Sequence, residues 1–212
     1  MNALVMFDRE TRTLWSQFLS RAVQGELIGT ELETIPLTLT TWEKWKEVHP
    51  DTIALRKNRA SSDPYLGYYA GRSAGVIGES NKDGRLPTKE LVLGIGFDGD
   101  PLALPHSQLL SQQLVNITHA GDGVVIYFDP ATRTALAFGA RVDGQELSFQ
   151  LIEKNGREWL QDDQTGTLWV PFTGQAVDGE LAGSALERLH AVNVFWFAWS
   201  DFYPDTEVWS VG

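Results

Sequence analysis

Cysteine is absent from the 212 residues. That excludes disulfides, thiolate metal sites and a cysteine nucleophile, and it leaves the redox compartment unread. Long apolar runs are missing too. Nowhere do about 18 consecutive apolar residues occur, as a spanning helix requires, and residues 1–20 lack a basic start followed by an apolar run. This chain therefore shows no signal peptide or transmembrane segment, its localisation is unmarked, and no membrane partner is expected. Basic residues are in deficit, 17 against 28 acidic, for a net charge of −11. Such a surface repels phosphate backbones, so nucleic acid is not an expected partner. Histidine is also scarce. His49, His106, His119 and His190 form no i, i+4 pair and no H-E-x-x-H, so no metal site is expected.

Apolar residues make up 42% and aromatics 11% of the chain, enough for a core in one domain spanning 1–212. The dominant signal is a repeat. Residues 8–52 lie over 162–206 without a gap at an offset of 154, and 19 of the 45 positions are identical. Shared landmarks are Leu14-Trp15 with Leu168-Trp169, Gly25-Glu26-Leu27 with Gly179-Glu180-Leu181, Trp42 and Trp45 with Trp196 and Trp199, and Pro50-Asp51-Thr52 with Pro204-Asp205-Thr206. At this offset Met1 is the counterpart of Asn155, so residues from about 87 to 154 have no earlier equivalent. The reading is a duplicated unit: a truncated first copy at 1–57, a Gly/Tyr-rich connecting loop at 58–86, and a complete second copy at 87–212. Strands without their neighbours leave unpaired backbone groups, so a homo-oligomer or a protein partner is expected to cover the first copy.

Local patterns predict an α+β fold, predominantly antiparallel β with a few short helices. Residues 4–7 and 14–18 read as a hairpin, and 90–95 with 102–104 as another around Phe97-Asp98-Gly99-Asp100. Residues 124–128, 134–138 and 146–152 read as strands. Pro171 predicts an edge or a bulge. Helices are predicted after Thr40, as an N-cap in a capping box with Glu43, and over 195–202 with Asn193 as cap; Pro50 and Pro204 end them. Leu110, Leu114 and Ile117 at helical spacing predict a helix over 107–117, which would contain the formal glycosylation acceptor Asn116-Ile117-Thr118.

No motif secures a chemistry. Gly94-Ile95-Gly96-Phe97-Asp98-Gly99 fits a dinucleotide pattern, but Pro101 and Pro105 stand where its helix belongs, so it reads as a hairpin. Gly71-Arg72-Ser73-Ala74-Gly75 fits a serine elbow without the following helix, and reads as a glycine-rich loop. Six of the eight tryptophans fall into repeat-related pairs and read as packing positions. The alternative for them is stacking on a carbohydrate or aromatic ligand.

Leu4-Val5-Met6-Phe7-Asp8-Arg9-Glu10-Thr11, Leu14-Trp15-Ser16-Gln17, Thr40-Thr41-Trp42 with Trp45, His49-Pro50-Asp51-Thr52, Asp83-Gly84-Arg85-Leu86-Pro87-Thr88-Lys89-Glu90 and Trp196-Phe197-Ala198-Trp199-Ser200-Asp201-Phe202 together resemble the prokaryotic family called domain of unknown function 3179. The resemblance spans nearly the whole chain. It implies an upstream C-P-L-C-like segment in relatives; the corresponding stretch of the second copy, Tyr127 to Thr134, has no cysteine. It implies no established reaction. The expected role is a soluble binding or protein-interaction domain with no catalytic motif. A hydrolase-like or other enzyme site is the alternative, and the candidate ligand-binding residues are Gln17, His49, Asp51, Tyr65, Arg85, Lys89 and Glu90.

Overall fold

The computed structural model describes residues 4–56, 65–75, 78, 82–96 and 99–212. Near the N-terminus β1 (Val5–Phe7), β2 (Leu14–Ser16) and β3 (Arg21–Gln24) form an antiparallel sheet in that order, followed by α1 (Trp42–Val48) and α2 (Leu66–Ala70). Next come β4 (Leu91–Ile95), β5 (Leu102–Pro105), α3 (His106–Leu109), β6 (Leu114–His119), β7 (Asp122–Asp129) and β8 (Thr134–Gly139). The remainder comprises β9 (Arg141–Val142), β10 (Gln145–Glu146), β11 (Phe149–Lys154), β12 (Arg157–Asp162), β13 (Leu168–Trp169), β14 (Ala176–Asp178), β15 (Val192–Phe195), α4 (Trp196–Phe202) and β16 (Glu207–Val208). The larger sheets run β11-β12-β13-β14, β6-β7-β8 and β15-β4-β5-β16. Pairing is antiparallel except between β16 and β5.

Layering explains the apolar runs. β7 and β8 send Val125, Tyr127, Leu136 and Phe138 toward Leu160 and Trp169, and Val124, Ile126, Phe128, Ala135 and Ala137 toward Leu93, Leu104 and Leu109. A strand buried on both faces loses the alternation of a half-exposed one and reads as a continuous apolar stretch. On the far side of β4 and β5, Val92 and Ala103 pack under Trp196 and Trp199 of α4. Gly94 makes that approach possible, because a Cβ there would overlap the Trp199 ring.

The predicted helix over 107–117 is corrected. The helix stops at Leu109, and residues 114–119 form a six-residue ladder with β7 in which Val115 is buried. Tertiary pairing outweighs the helical spacing of Leu110, Leu114 and Ile117, and the β-branched residues Val115, Ile117 and Thr118 suit the strand. Asn116 therefore lies in a strand, where its side chain bonds both backbone groups of Phe149. Two caps are corrected as well. Thr41, not Thr40, accepts from the Lys44 amide. Asn193 caps nothing: the first amides of α4 donate instead to the Glu90 and Thr88 carbonyls. Pro171 follows β13, which pairs on both sides and carries an irregularity at Leu168/Trp169. The 58–86 stretch includes α2, and its residues 58–64, 76–77 and 79–81 lie outside the described residues, as does Phe97-Asp98 of the second hairpin.

Local geometry recurs at the 154-residue offset. The Trp45 indole N–H donates to Thr52 Oγ1 at 3.0 Å, and that of Trp199 to Thr206 Oγ1 at 2.9 Å. The Leu27 amide donates to Thr13 Oγ1 at 3.3 Å, and the Leu181 amide to Thr167 Oγ1 at 3.1 Å. Gly25 and Gly179 adopt φ of +107° and +113°, each so close to that threonine's Cα that a side chain would collide. The two stretches also dock on one another. Phe18 stacks on Phe202 at 4.5 Å, while its counterpart Phe172 lies under the Lys44 ammonium at 5.9 Å.

Candidate functional site

Three places gather the polar residues. The first is a pair of corners after α1 and α4. Arg85 grips the Asp83 carboxylate and donates from Nη1 to the Thr206 carbonyl at 2.6 Å and from Nη2 to the Pro204 carbonyl at 3.0 Å. Its guanidinium lies 5.1 Å from the Trp196 ring centre. The hydrogen bond from Arg85 holds Asp83 below the usual carboxylate range, and Asp83 in turn raises Arg85. At the other corner His49 stacks on Trp45 at 4.2 Å, as Tyr203 does on Trp199 at 4.5 Å, and Asp51 is exposed.

The second place is the junction of α2 with β15. Lys89 donates to the Tyr68 carbonyl and sits 3.8 Å from that ring's centre, Tyr68 and Tyr69 contact Phe195, and Tyr65 joins through Tyr69 at 6.5 Å. Glu90 is nearby in sequence but turns to accept the Ser107 amide at 2.8 Å, fixing the start of α3. The third is a groove around His190. Gln17 and Phe18 line one wall and His190, Val192 and Val194 the other, and the groove opens into a cavity of ≈ 370 Å³ bounded by Arg21, Glu31 and Tyr203.

The seven predicted residues therefore occupy separate settings. Tyr65 and Lys89 share one cluster, Gln17 lines the groove, His49 and Asp51 belong to the first corner, Arg85 to the second, and Glu90 to α3. Among the described residues, His49 and Asp51 make no hydrogen bond or ion pair with Arg85, Lys89 or Glu90. Nor do three or more His, Asp or Glu gather as a metal would need, among the described residues.

Two further polar features escaped the sequence. His106 is fully buried: Nε2 donates to Asn193 Oδ1 at 2.8 Å, since the Asn193 amide nitrogen already donates to the Ala135 carbonyl, and Nδ1 has no partner. Burial drives its pKa down to about 4, against the opposing bond to Asn193. Nothing local marks this pair, because the two residues are brought together only by the β15-β4-β5 sheet. Asp162 is buried beside Trp169. Burial pushes its carboxyl up, but the indole N–H and the donors of Thr165 outweigh that and hold it low.

The largest contrast is apolar. Trp42 is 55% exposed where its offset counterpart Trp196 is 0% exposed; Met6 is 40% exposed where Leu160 is 0%; Leu37 is 66% exposed where Ala191 is 6%. Ile35, Ile53 and Leu55 add to the same exposed set. The backbone repeats the contrast. β1 is an edge strand, and because the Asp8 amide bonds Thr13, the antiparallel alternation points the amides of Val5 and Phe7 away from β2. At the offset position, β12 is covered by β11 along six residue pairs.

The fold and this face define a predominantly antiparallel β protein with short helices, and among the described residues no helix is long and apolar enough to cross a membrane. The chain belongs to the protein family of unknown function DUF3179, whose model matches residues 1–206. No curated protein and no solved structure matches it.

Proposed function

We propose that the chain is a protein-binding domain built from a duplicated unit, in which apolar side chains left exposed between residues 4 and 56 present the docking face. The observation that carries this is the unequal burial of equivalent positions, above all Trp42 against Trp196. Exposed large apolar side chains, where they gather beyond scattered single ones, mark interaction sites. Fully burying such side chains would favour association, by at most roughly 1.5–3 kcal/mol each and less for Trp42 and Met6, which are already partly covered. Support for the duplication comes from the repeated Trp–Thr bonds and the matched glycine conformations. The chain is acidic, which suits a protein partner better than nucleic acid.

The test is sedimentation and binding of an apolar dye to the intact chain and to a Leu37→Glu, Trp42→Glu, Leu55→Glu variant. Concentration-dependent association and dye binding, both lost in the variant while the near-ultraviolet signal of the buried tryptophans persists, support the reading. A chain that stays monomeric and binds no dye contradicts it.

A further inference from the structure

We propose that the gap between β15 and residues 33–40 takes an extended peptide of a protein partner, which adds as a strand to the β15 edge and brings a carboxylate to Arg188. The inference rests on the interaction reading above and names the kind of partner and its mode of binding.

β15 is the outer strand of its sheet. It pairs with β4 from Val192↔Gly94 to Phe195↔Leu91, and one step further on the Trp196 amide donates to the Glu90 carbonyl. The antiparallel alternation then turns the backbone groups of Val192 and Val194 toward β4 and points the N–H and C=O of Asn193 and Phe195 outward. The Phe195 end is shielded by α2, whose Tyr68 and Tyr69 meet its ring. Asn193 is open. Its side chain is engaged with His106 and Ala135, and the residue lines a cavity of ≈ 240 Å³.

The opposite wall is a stretch without regular structure. Ile35, Leu37 and Leu39 line the same cavity, and at 70%, 66% and 49% exposure they present apolar side chains at every second position, the spacing of a strand. Residues 33–40 make no backbone–backbone hydrogen bond among the described residues, so a strand in the gap finds donors and acceptors on both sides. The cavity shares Gln17 and His190 with the groove described above, and the opening therefore extends beyond a single side-chain pocket.

Arg188 adds a requirement for charge. Half-buried, it lies 5.1 Å from the Phe138 ring centre, donates from Nη2 to the Leu37 carbonyl at 3.4 Å and to Thr38 Oγ1 at 3.3 Å, and leaves Nε buried without a partner. No carboxylate pairs with it among the described residues, although the chain has 28 acidic residues. A guanidinium drawn out of water is costly until an anion meets it, and Thr38 is itself part of the cavity wall. In strand addition, backbone hydrogen bonds supply affinity and alternate side chains supply specificity. Here the matching peptide has apolar residues at alternate positions, to cover Ile35, Leu37 and Leu39, and an Asp or Glu for Arg188.

The probe is a displayed library of random peptides, panned on the intact chain, with the most enriched sequence then synthesised. Alternating apolar sequences with an acidic residue should be enriched. The synthetic peptide should slow amide exchange at Asn193 by about tenfold or more. N-methylation of its backbone amides should abolish binding, and exchanging its acidic residue for the amide should weaken binding about tenfold. Leu37→Glu in the chain should weaken it similarly while the near-ultraviolet signal of the buried tryptophans persists. No enrichment, unchanged exchange at Asn193 or tolerance of N-methylation overturns the proposal. So does equal slowing at Asn193 when the concentration of the chain itself is raised, which would make a second copy the occupant. A chain that binds the apolar dye but selects no such peptide leaves the interaction reading standing; one that binds neither removes both.

Discussion

Arg85 and Lys46 hold equivalent pairs of carbonyls from unrelated positions in the chain. Arg85 reaches Thr206 and Pro204 from 121 and 119 residues away, whereas Lys46 reaches Pro50 at 2.7 Å and Thr52 at 3.4 Å from within its own helix. Each cation also lies by a tryptophan ring, Arg85 at 5.1 Å from Trp196 and Lys46 at 6.0 Å from Trp42. The carbonyls at the end of a helix need donors, and a cation there also complements the helix dipole. Replacing Arg85 by Met removes two charge-assisted donors and leaves Asp83 without its partner. Urea unfolding should show a loss of roughly 1–3 kcal/mol, while Lys46→Met should cost under about 1 kcal/mol.

The paired tryptophans give an internal comparison at fixed chemistry. Trp196→Ala opens a cavity between α4 and the β4-β5 hairpin and should cost about 3–5 kcal/mol. Trp42→Ala removes an exposed ring and should change stability by less than about 1 kcal/mol in the isolated chain. Equal losses in thermal or urea unfolding would mean that Trp42 is packed.

Glycine positions separate close approach from plain flexibility. Gly94→Ala should destabilise by roughly 1–3 kcal/mol because the strand must move off Trp199. Gly67→Ala, in α2 with nothing near its added Cβ, should be neutral or stabilising by up to about 1 kcal/mol. Denaturant midpoints of the two variants decide the matter.

Acid sensitivity follows from His106. Its folded-state pKa, about 4, lies below the unfolded value of 6.5. Between those values the unfolded chain binds a proton that the folded chain does not, so stability falls as pH drops from about 6.5 to about 4 and is fully present above that window. The loss amounts to roughly 3 kcal/mol. A pH series of unfolding free energies should show this slope, and His106→Leu should flatten it. Asp162, whose carboxyl is held low, adds a further loss at lower pH.

Much of the fold was legible because its signals are local or periodic. The buried runs of β7 and β8 are written in neighbouring residues, and the 154-residue offset announced the tryptophan pairs. The helix expected over 107–117 failed because a sheet partner, unseen in a local window, outbid the spacing of Leu110, Leu114 and Ile117. The Asn193 cap failed for a similar reason: the Thr88 and Glu90 carbonyls arrive from a distant strand and satisfy α4 first. The candidate polar residues stand out along the chain only by chemical type. Which of them meet depends on long-range closure, and Arg85 finds its partners 119 and 121 residues away.

Amide hydrogen exchange on the isolated chain tests the open face most directly. Val5 and Phe7 are expected to exchange at rates near those of an unstructured peptide, while Trp159 and Gln161, their counterparts beneath β11, are protected by orders of magnitude. Comparable protection at the two pairs would contradict it.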